Sequence, residues 1–128
     1  MGMPAAKRGD QVLAFDTHKI LTVSGPVLVP LHPFTGVIDG GLSRDVTIDG
    51  RPAATVDSTA TNTPPHVPLG GTFVTPPSNK GKITTGSSTV RLNGKAAARN
   101  GDTAETCNDP RDLPVGTVAA AGTVVIGG

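Results

Sequence analysis

One stretch of this chain occurs twice. Val46-Thr-Ile-Asp-Gly-Arg-Pro-Ala-Ala-Thr-Val-Asp-Ser58 and Val90-Arg-Leu-Asn-Gly-Lys-Ala-Ala-Ala-Arg-Asn-Gly-Asp102 align without a gap at a spacing of 44 residues. Each copy sets Asp-Gly or Asn-Gly between apolar or β-branched residues, the pattern of a two-residue hairpin turn that needs positive φ at both positions. The spacing predicts a strand over 84–92, a turn at Asn93-Gly94 and a returning strand over 95–99, with the same arrangement around Asp49-Gly50. A truncated third copy opens the chain, where Pro4-Ala-Ala-Lys-Arg-Gly-Asp10 matches 96–102. Three related modules, at 4–10, 46–58 and 84–102, predict an approximate three-fold arrangement. The paired alanines suit a point where backbones converge too closely for larger side chains.

The rest of the composition agrees with strands. The chain has 128 residues, with 14 Val and 17 Thr, and Phe15, Phe34 and Phe73 are its only aromatic residues. Such a core has to be filled by aliphatic and β-branched side chains, which favour sheet. The expected fold class is all-β, built of short hairpins in a single domain spanning 1–128, with no helix of normal length and at most one turn at 103–108. The Pro- and Gly-rich stretches 62–77 and 108–114 read as irregular loops, and 115–128 as a last strand or hairpin.

Charge excludes some functions. Eleven Lys and Arg face ten Asp and Glu, with no basic stripe and no aromatic platform, so nucleic acid is not an expected partner. The first residues carry no apolar run of the signal-peptide kind, and no segment approaches the ~20 apolar residues of a membrane helix. Synthesis and folding in a cytoplasm are expected. A lone cysteine cannot close an internal disulfide, which leaves metal ligation as the available staple.

Soft metal-binding side chains are few: His18, His32, His66 and Cys107. Three imidazoles and a thiolate make one closed tetrahedral set, which suits zinc better than the oxygen-loving magnesium or calcium, with iron as the alternative. One candidate follows each module: His18 after Asp10, His66 after Asp57, Cys107 after Asp102. His32 and His66 are flanked by prolines, which stiffen their loops. With four protein ligands no position is left for substrate, so the metal would be structural. Signatures of nucleophilic, phosphate-binding and zinc-protease sites are missing. Glu105 is the one glutamate available as a base. A small zinc-dependent hydrolase, with Cys107 labile, is the alternative reading, and a β-rich binding module without metal is a third.

The strings Pro4-Ala-Ala-Lys-Arg-Gly-Asp10, Arg51-Pro-Ala-Ala-Thr55 and above all 85–102 resemble the PAAR-repeat proteins. The resemblance implies a small cone of β-hairpins with zinc near its apex, held through His18, His32, His66 and Cys107. It implies no catalysed reaction. It also implies a sharpened tip that caps the trimeric VgrG-like spike of a type VI secretion or related contractile injection system and helps puncture the target envelope. One copy per spike homotrimer is expected, with effector proteins as further partners and only transient contact with the target membrane. The tip would assemble in the bacterial cytoplasm and leave with the spike, outside the cell or into the target. No effector extension is expected at either end. The pattern departs from the family's in the middle module, which reads Val56-Asp57-Ser58 where the others read Gly-Asp. It departs also at His18, eight residues after its Gly-Asp, and at His32, which matches by order alone.

Overall fold

The computed structural model describes residues 2–127. Among them the chain forms strands and no helix: β1 (Met3–Pro4), β2 (Gln11–Thr22), β3 (Gly25–Gly40), β4 (Thr47–Ile48), β5 (Arg51–Pro52), β6 (Thr59–Asn62), β7 (Thr72–Phe73), β8 (Lys80–Ile83), β9 (Arg91–Leu92), β10 (Lys95–Ala96), β11 (Thr103–Thr106), β12 (Leu113–Ala119) and β13 (Val125–Ile126). The fold is all-β.

The two-residue turns form where the sequence puts them. Asp49 and Gly50 have φ of 50° and 80° between β4 and β5, and Asn93 and Gly94 have 54° and 81° between β9 and β10. The strands beside these turns are much shorter than 84–92 and 95–99, because each chain changes partner at its alanines. The third ribbon comes from opposite ends of the chain: β13 pairs with β1, Ile126 opposite Met3 and Val125 opposite Pro4. The N–H of Ala5 donates to Val124 (2.9 Å) as Ala53 does to Val46 and Ala97 to Val90 (both 3.0 Å). Val124-Val125-Ile126 is therefore the missing half of the truncated first module.

The three modules lock together through their backbones. Ala6 N–H donates to the Ala98 carbonyl (2.9 Å), Ala98 to Ala54 (3.1 Å), and Ala54 back to Ala6 (3.0 Å). A second circuit runs alongside, from Arg8 to Pro52 (2.9 Å), Val56 to Ala96 (2.9 Å) and Asn100 to Pro4 (2.8 Å). Six alanines at the crossing, Ala5, Ala6, Ala53, Ala54, Ala97 and Ala98, are fully buried. Main chains that exchange hydrogen bonds around a closed circuit leave room for a methyl group and little more.

After each alanine pair the chain turns. Side-chain oxygens of Asp10, Ser58 and Asp102 accept the N–H of Lys7 (3.0 Å), Thr55 (2.9 Å) and Arg99 (2.7 Å). The residue before each acceptor is left-handed: Gly9 at φ 92°, Gly101 at 90° and, in the middle module, Asp57 at 77°. The Val56-Asp57-Ser58 departure thus keeps the geometry. Asp57 tolerates the conformation better than most side chains, and the Ser58 hydroxyl replaces a carboxylate while also donating to Gly41 (2.8 Å).

From these turns β2, β6 and β11 leave, and β3, β8 and β12 return. All neighbours are antiparallel, and pairing of β12 with β2 closes the order β2-β3-β6-β8-β11-β12 into a six-stranded barrel, with β7 added on β2. The register repeats three times: Val12 opposite Gly36, Ala60 opposite Gly81, Ala104 opposite Gly116. A Cβ on Gly36 would stand 3.0 Å from that of Ala60, and one on Gly116 3.0 Å from the Ala104 carbonyl. Ile38, Ile83 and Val118 fill the interior one layer down, and Phe34 fills the space over Gly36 and Gly81.

Three-fold similarity ends above this layer. Only β2 and β3 continue, paired as far as Thr22 and Gly25. Leu21, Val23, Val27, Leu28 and Leu31 of this protruding ribbon are exposed. At its root the register slips, Asp16 facing His32 but His18 facing Val29, with Leu31 at φ 67° inside the bulge. Asp16, His18 and His32 are all buried, each at an inward position of its strand's alternation.

Ser58 is fully buried and bonded at both ends. Ser58→Ala strands the Thr55 N–H and the Gly41 carbonyl, so a loss of about 1–3 kcal/mol is expected in urea unfolding. Thr59→Ala, at the half-buried position that follows, is expected to change much less.

Candidate metal centre

The strand β2 carries the chain roughly 20 Å from the turn at Asp10 to Asp16, at ~3.3 Å per residue. The four residues singled out in the sequence meet at this level. His18 comes from β2, His32 from β3, His66 from the connection between β6 and β7, and Cys107 from the position after β11. All four are buried. Ring centroids of His18 and His66 are 4.8 Å apart, His18 and His32 5.2 Å, His32 and His66 5.9 Å. Cys107 Sγ stands 3.9 Å from His18 Nε2.

A fifth group, absent from the sequence expectation, lies among them. Asp16 is 0 % exposed. Its Oδ1 accepts from the Thr106 hydroxyl and from Asn108 Nδ2 (3.3 Å), while Oδ2 contacts His66 Nε2 at 2.7 Å and Cys107 Sγ at 3.6 Å. One ligand atom each from Asp16, His18, His66 and Cys107 lie within 4.8 Å of one another. Two imidazoles, a thiol and a carboxylate at this separation are able to hold a metal ion. His32 borders the quartet: its Nε2 accepts the Leu69 N–H (3.4 Å), and its buried Nδ1 makes no hydrogen bond.

Other side chains hold the cluster in place. Asp109 Oδ2 faces His18 Nδ1 at 3.4 Å and accepts the Lys19 N–H at 2.7 Å, which leaves His18 Nε2 turned toward Cys107. Carboxylates behind metal-binding imidazoles commonly orient them in this way. Asn79 Oδ1 accepts the His66 N–H (2.8 Å) and pins that loop to Asn62 (3.2 Å). Phe34 closes the cluster toward the barrel, 5.9 Å from His66, and Phe73 covers the other side, 5.5 Å from His18.

Alternation along a strand is the signal that could have found Asp16: residues two apart share a face, so whatever buries His18 buries Asp16. Asp109 and Asn108 follow Cys107 directly, in a stretch read only as loop.

Burial lowers the pKa of His18 and His32 below the usual 6.5, and the nearby His66 lowers both further. The Cys107 thiol is pushed up to about 11, first by burial and then by the Asp16 carboxylate. Without metal the pocket therefore favours neutral His18 and His32 and a protonated thiol. A dication held here would take the place of the thiol proton, which would pass to solvent.

A family model described as PAAR motif matches residues 74–128. The matched segment runs from the residue after β7 through β13 and contains Cys107 but none of the three histidines. No curated protein matches this chain.

The lowered histidine values have a defined sign. Between the folded values and 6.5 the unfolded chain binds more protons, so stability is complete above 6.5 and falls as pH drops below it. Metal-depleted protein is expected to show a falling thermal midpoint from pH 7 to 5, measured by circular dichroism, and a plateau between pH 7 and 8.

Proposed function

We propose that this chain, which matches the PAAR-motif family model over residues 74–128, is a PAAR-repeat protein and a metal-stabilised tip that caps a trimeric VgrG-like spike of a type VI secretion or other contractile injection system. The role is structural, without catalysis. The observation that carries the reading is the backbone circuit through Ala6, Ala54 and Ala98 with its three equivalent ribbons. One chain that repeats its own edge three times can meet each strand set of a symmetric trimer in the same way. Backbone groups and apolar residues at a ribbon edge suit strand addition.

The opposite end supports a leading role in envelope entry. Residues 20–31 carry no charged side chain, and Val23 at the tip of the ribbon is fully exposed. We place the metal behind this ribbon, among His18, His32, His66 and Cys107, as zinc, with iron the alternative. A structural zinc supplies on the order of 10 kcal/mol of apparent binding free energy, realised as folding free energy. That stiffens two loops, 63–71 and 107–112, which hold little regular structure. The tip would be assembled in the bacterial cytoplasm and leave with the spike, with effector proteins as additional passengers.

Native mass spectrometry of the purified chain with its VgrG-like trimer checks the symmetry match. One chain per three spike subunits is expected, and the same ratio when the chain is in excess. A 3:3 assembly would contradict the capping geometry.

A further inference from the structure

Three modules built alike differ in one pair of residues. In the first, Lys7 meets Asp10 at 3.1 Å and also donates to the Ala121 carbonyl. In the third, Arg99 meets Asp102 at 3.0 Å and donates to the Gly86 carbonyl at 3.4 Å. The middle module has Thr55 and Ser58 at these positions, so both ends of the ion pair are missing. Val46, Val90 and Val124 accept from equivalent alanine amides, and the residues three places before them, Ser43, Ser87 and Ala121, therefore correspond. The carbonyls that meet Lys7 and Arg99 thus have their counterparts in Ser43 and Leu42. Those two residues, with Thr55 and Leu92, wall a cavity of about 270 Å³. It occupies the place that the absent cation would fill.

We propose that this cavity is a socket for one carboxylate side chain of the spike trimer, received by Arg44 with Lys95 beside it. The inference rests on the proposed role as a spike tip and adds an anchor that a single spike subunit uses. The charges of the lining carry the choice of a carboxylate. Arg44 is exposed and, among the described residues, makes no ion pair or hydrogen bond. Its counterparts in the other modules are Ser88 and Gly122. The middle module thus has its cation at the surface, where the other two keep theirs inside beside an aspartate. Lys95, the second cation of the lining, is held only loosely by Asp57, at 3.6 Å with both side chains about half exposed. Asp45 is the carboxylate of the lining, and its Oδ2 already accepts from Asn93 Nδ2 at 2.7 Å. The uncommitted charge is therefore a guanidinium, whose planar fork suits a carboxylate in two-point contact. Half-buried Leu42 and Leu92 shield such a pair from water, which strengthens it over a fully exposed one. The position of the cavity carries the choice of partner. Leu92, Asn93 and Lys95 of its lining belong to the β9–β10 ribbon and its turn, so the socket continues the ribbon edge that is proposed to meet the trimer.

The test measures affinity of the full chain for its VgrG-like trimer by biolayer interferometry at low and high salt. Arg44→Glu is expected to weaken binding by ~10-fold or more at low salt, as loss of an interface anchor does, and by less at high salt. Arg111→Glu makes the same charge change at another exposed arginine, in the loop after Cys107, and is expected to bind like the wild type. Thr55→Arg with Ser58→Asp writes the ion pair of the third module into the middle one. That double variant is expected to stay folded, close the cavity and lose affinity, again by ~10-fold. Unchanged affinity in Arg44→Glu would overturn the socket, and so would unchanged affinity in the folded double variant. An equal loss in Arg44→Glu and Arg111→Glu would overturn it as well, since net charge alone would then account for both. Wild-type chain that does not bind the trimer at all would overturn the tip reading itself, which separates the two failures.

Discussion

The interaction on which the rest depends is a circuit of three backbone hydrogen bonds, Ala6 to Ala98 to Ala54 to Ala6. Each bond alone is an ordinary amide contact worth about 1 kcal/mol net. Closed on itself, the circuit joins modules that are 44 and more residues apart and makes each one the scaffold of the other two. It dictates alanine at the crossing, sets where the hairpin strands stop, and aims the three turns that launch the barrel. Removal of any one module leaves two unpaired edges, so the fold is cooperative by construction.

Much of this is written in local residue chemistry. Asp49-Gly50 and Asn93-Gly94 announce their turns because few other pairs tolerate two positive φ values in succession, and the alanine pairs announce the crossing. The partner of the first module was not legible as such. Val124-Val125-Ile126 repeats the Val-x-(Ile/Leu) pattern of the other ribbons, but three residues at the far end of a chain carry too little pattern to be matched with three at its start. Closure of the barrel was equally hidden, because strands of four residues such as β6, β8 and β11 owe their position to the turns before them more than to their own composition. The expected returning strand at 95–99 is cut to β10 because the ring takes over the backbone of Ala97 and Ala98.

The candidate site was legible in part for a related reason. Histidine and cysteine are scarce here, so their identity alone singled them out, and the structure brings His18, His32, His66 and Cys107 into one buried cluster. Aspartate is common, nine among 128 residues, and the one local sign that separates Asp16 from the others is its place two residues before His18 on the same strand. Beside it β2 and β3 slip in register, so that Asp16 faces His32 while His18 faces Val29. The site exists where three-fold repetition breaks down. Below it, three equivalent strands pass through three equivalent glycines; above it, one module sends up a long ribbon while the other two contribute loops carrying His66 and Cys107. Symmetry suits the end proposed to meet a trimer, and its loss suits the end that gathers unlike side chains at one point.

The most direct measurement of the central claim is amide hydrogen exchange at Ala6, Ala54 and Ala98, followed by NMR under native conditions. A closed circuit can open only by unfolding as a whole, so the three amides are expected to share a single slow rate, equal to that of global unfolding. One of the three exchanging orders of magnitude faster than the others would show that the modules open separately, and would contradict the account.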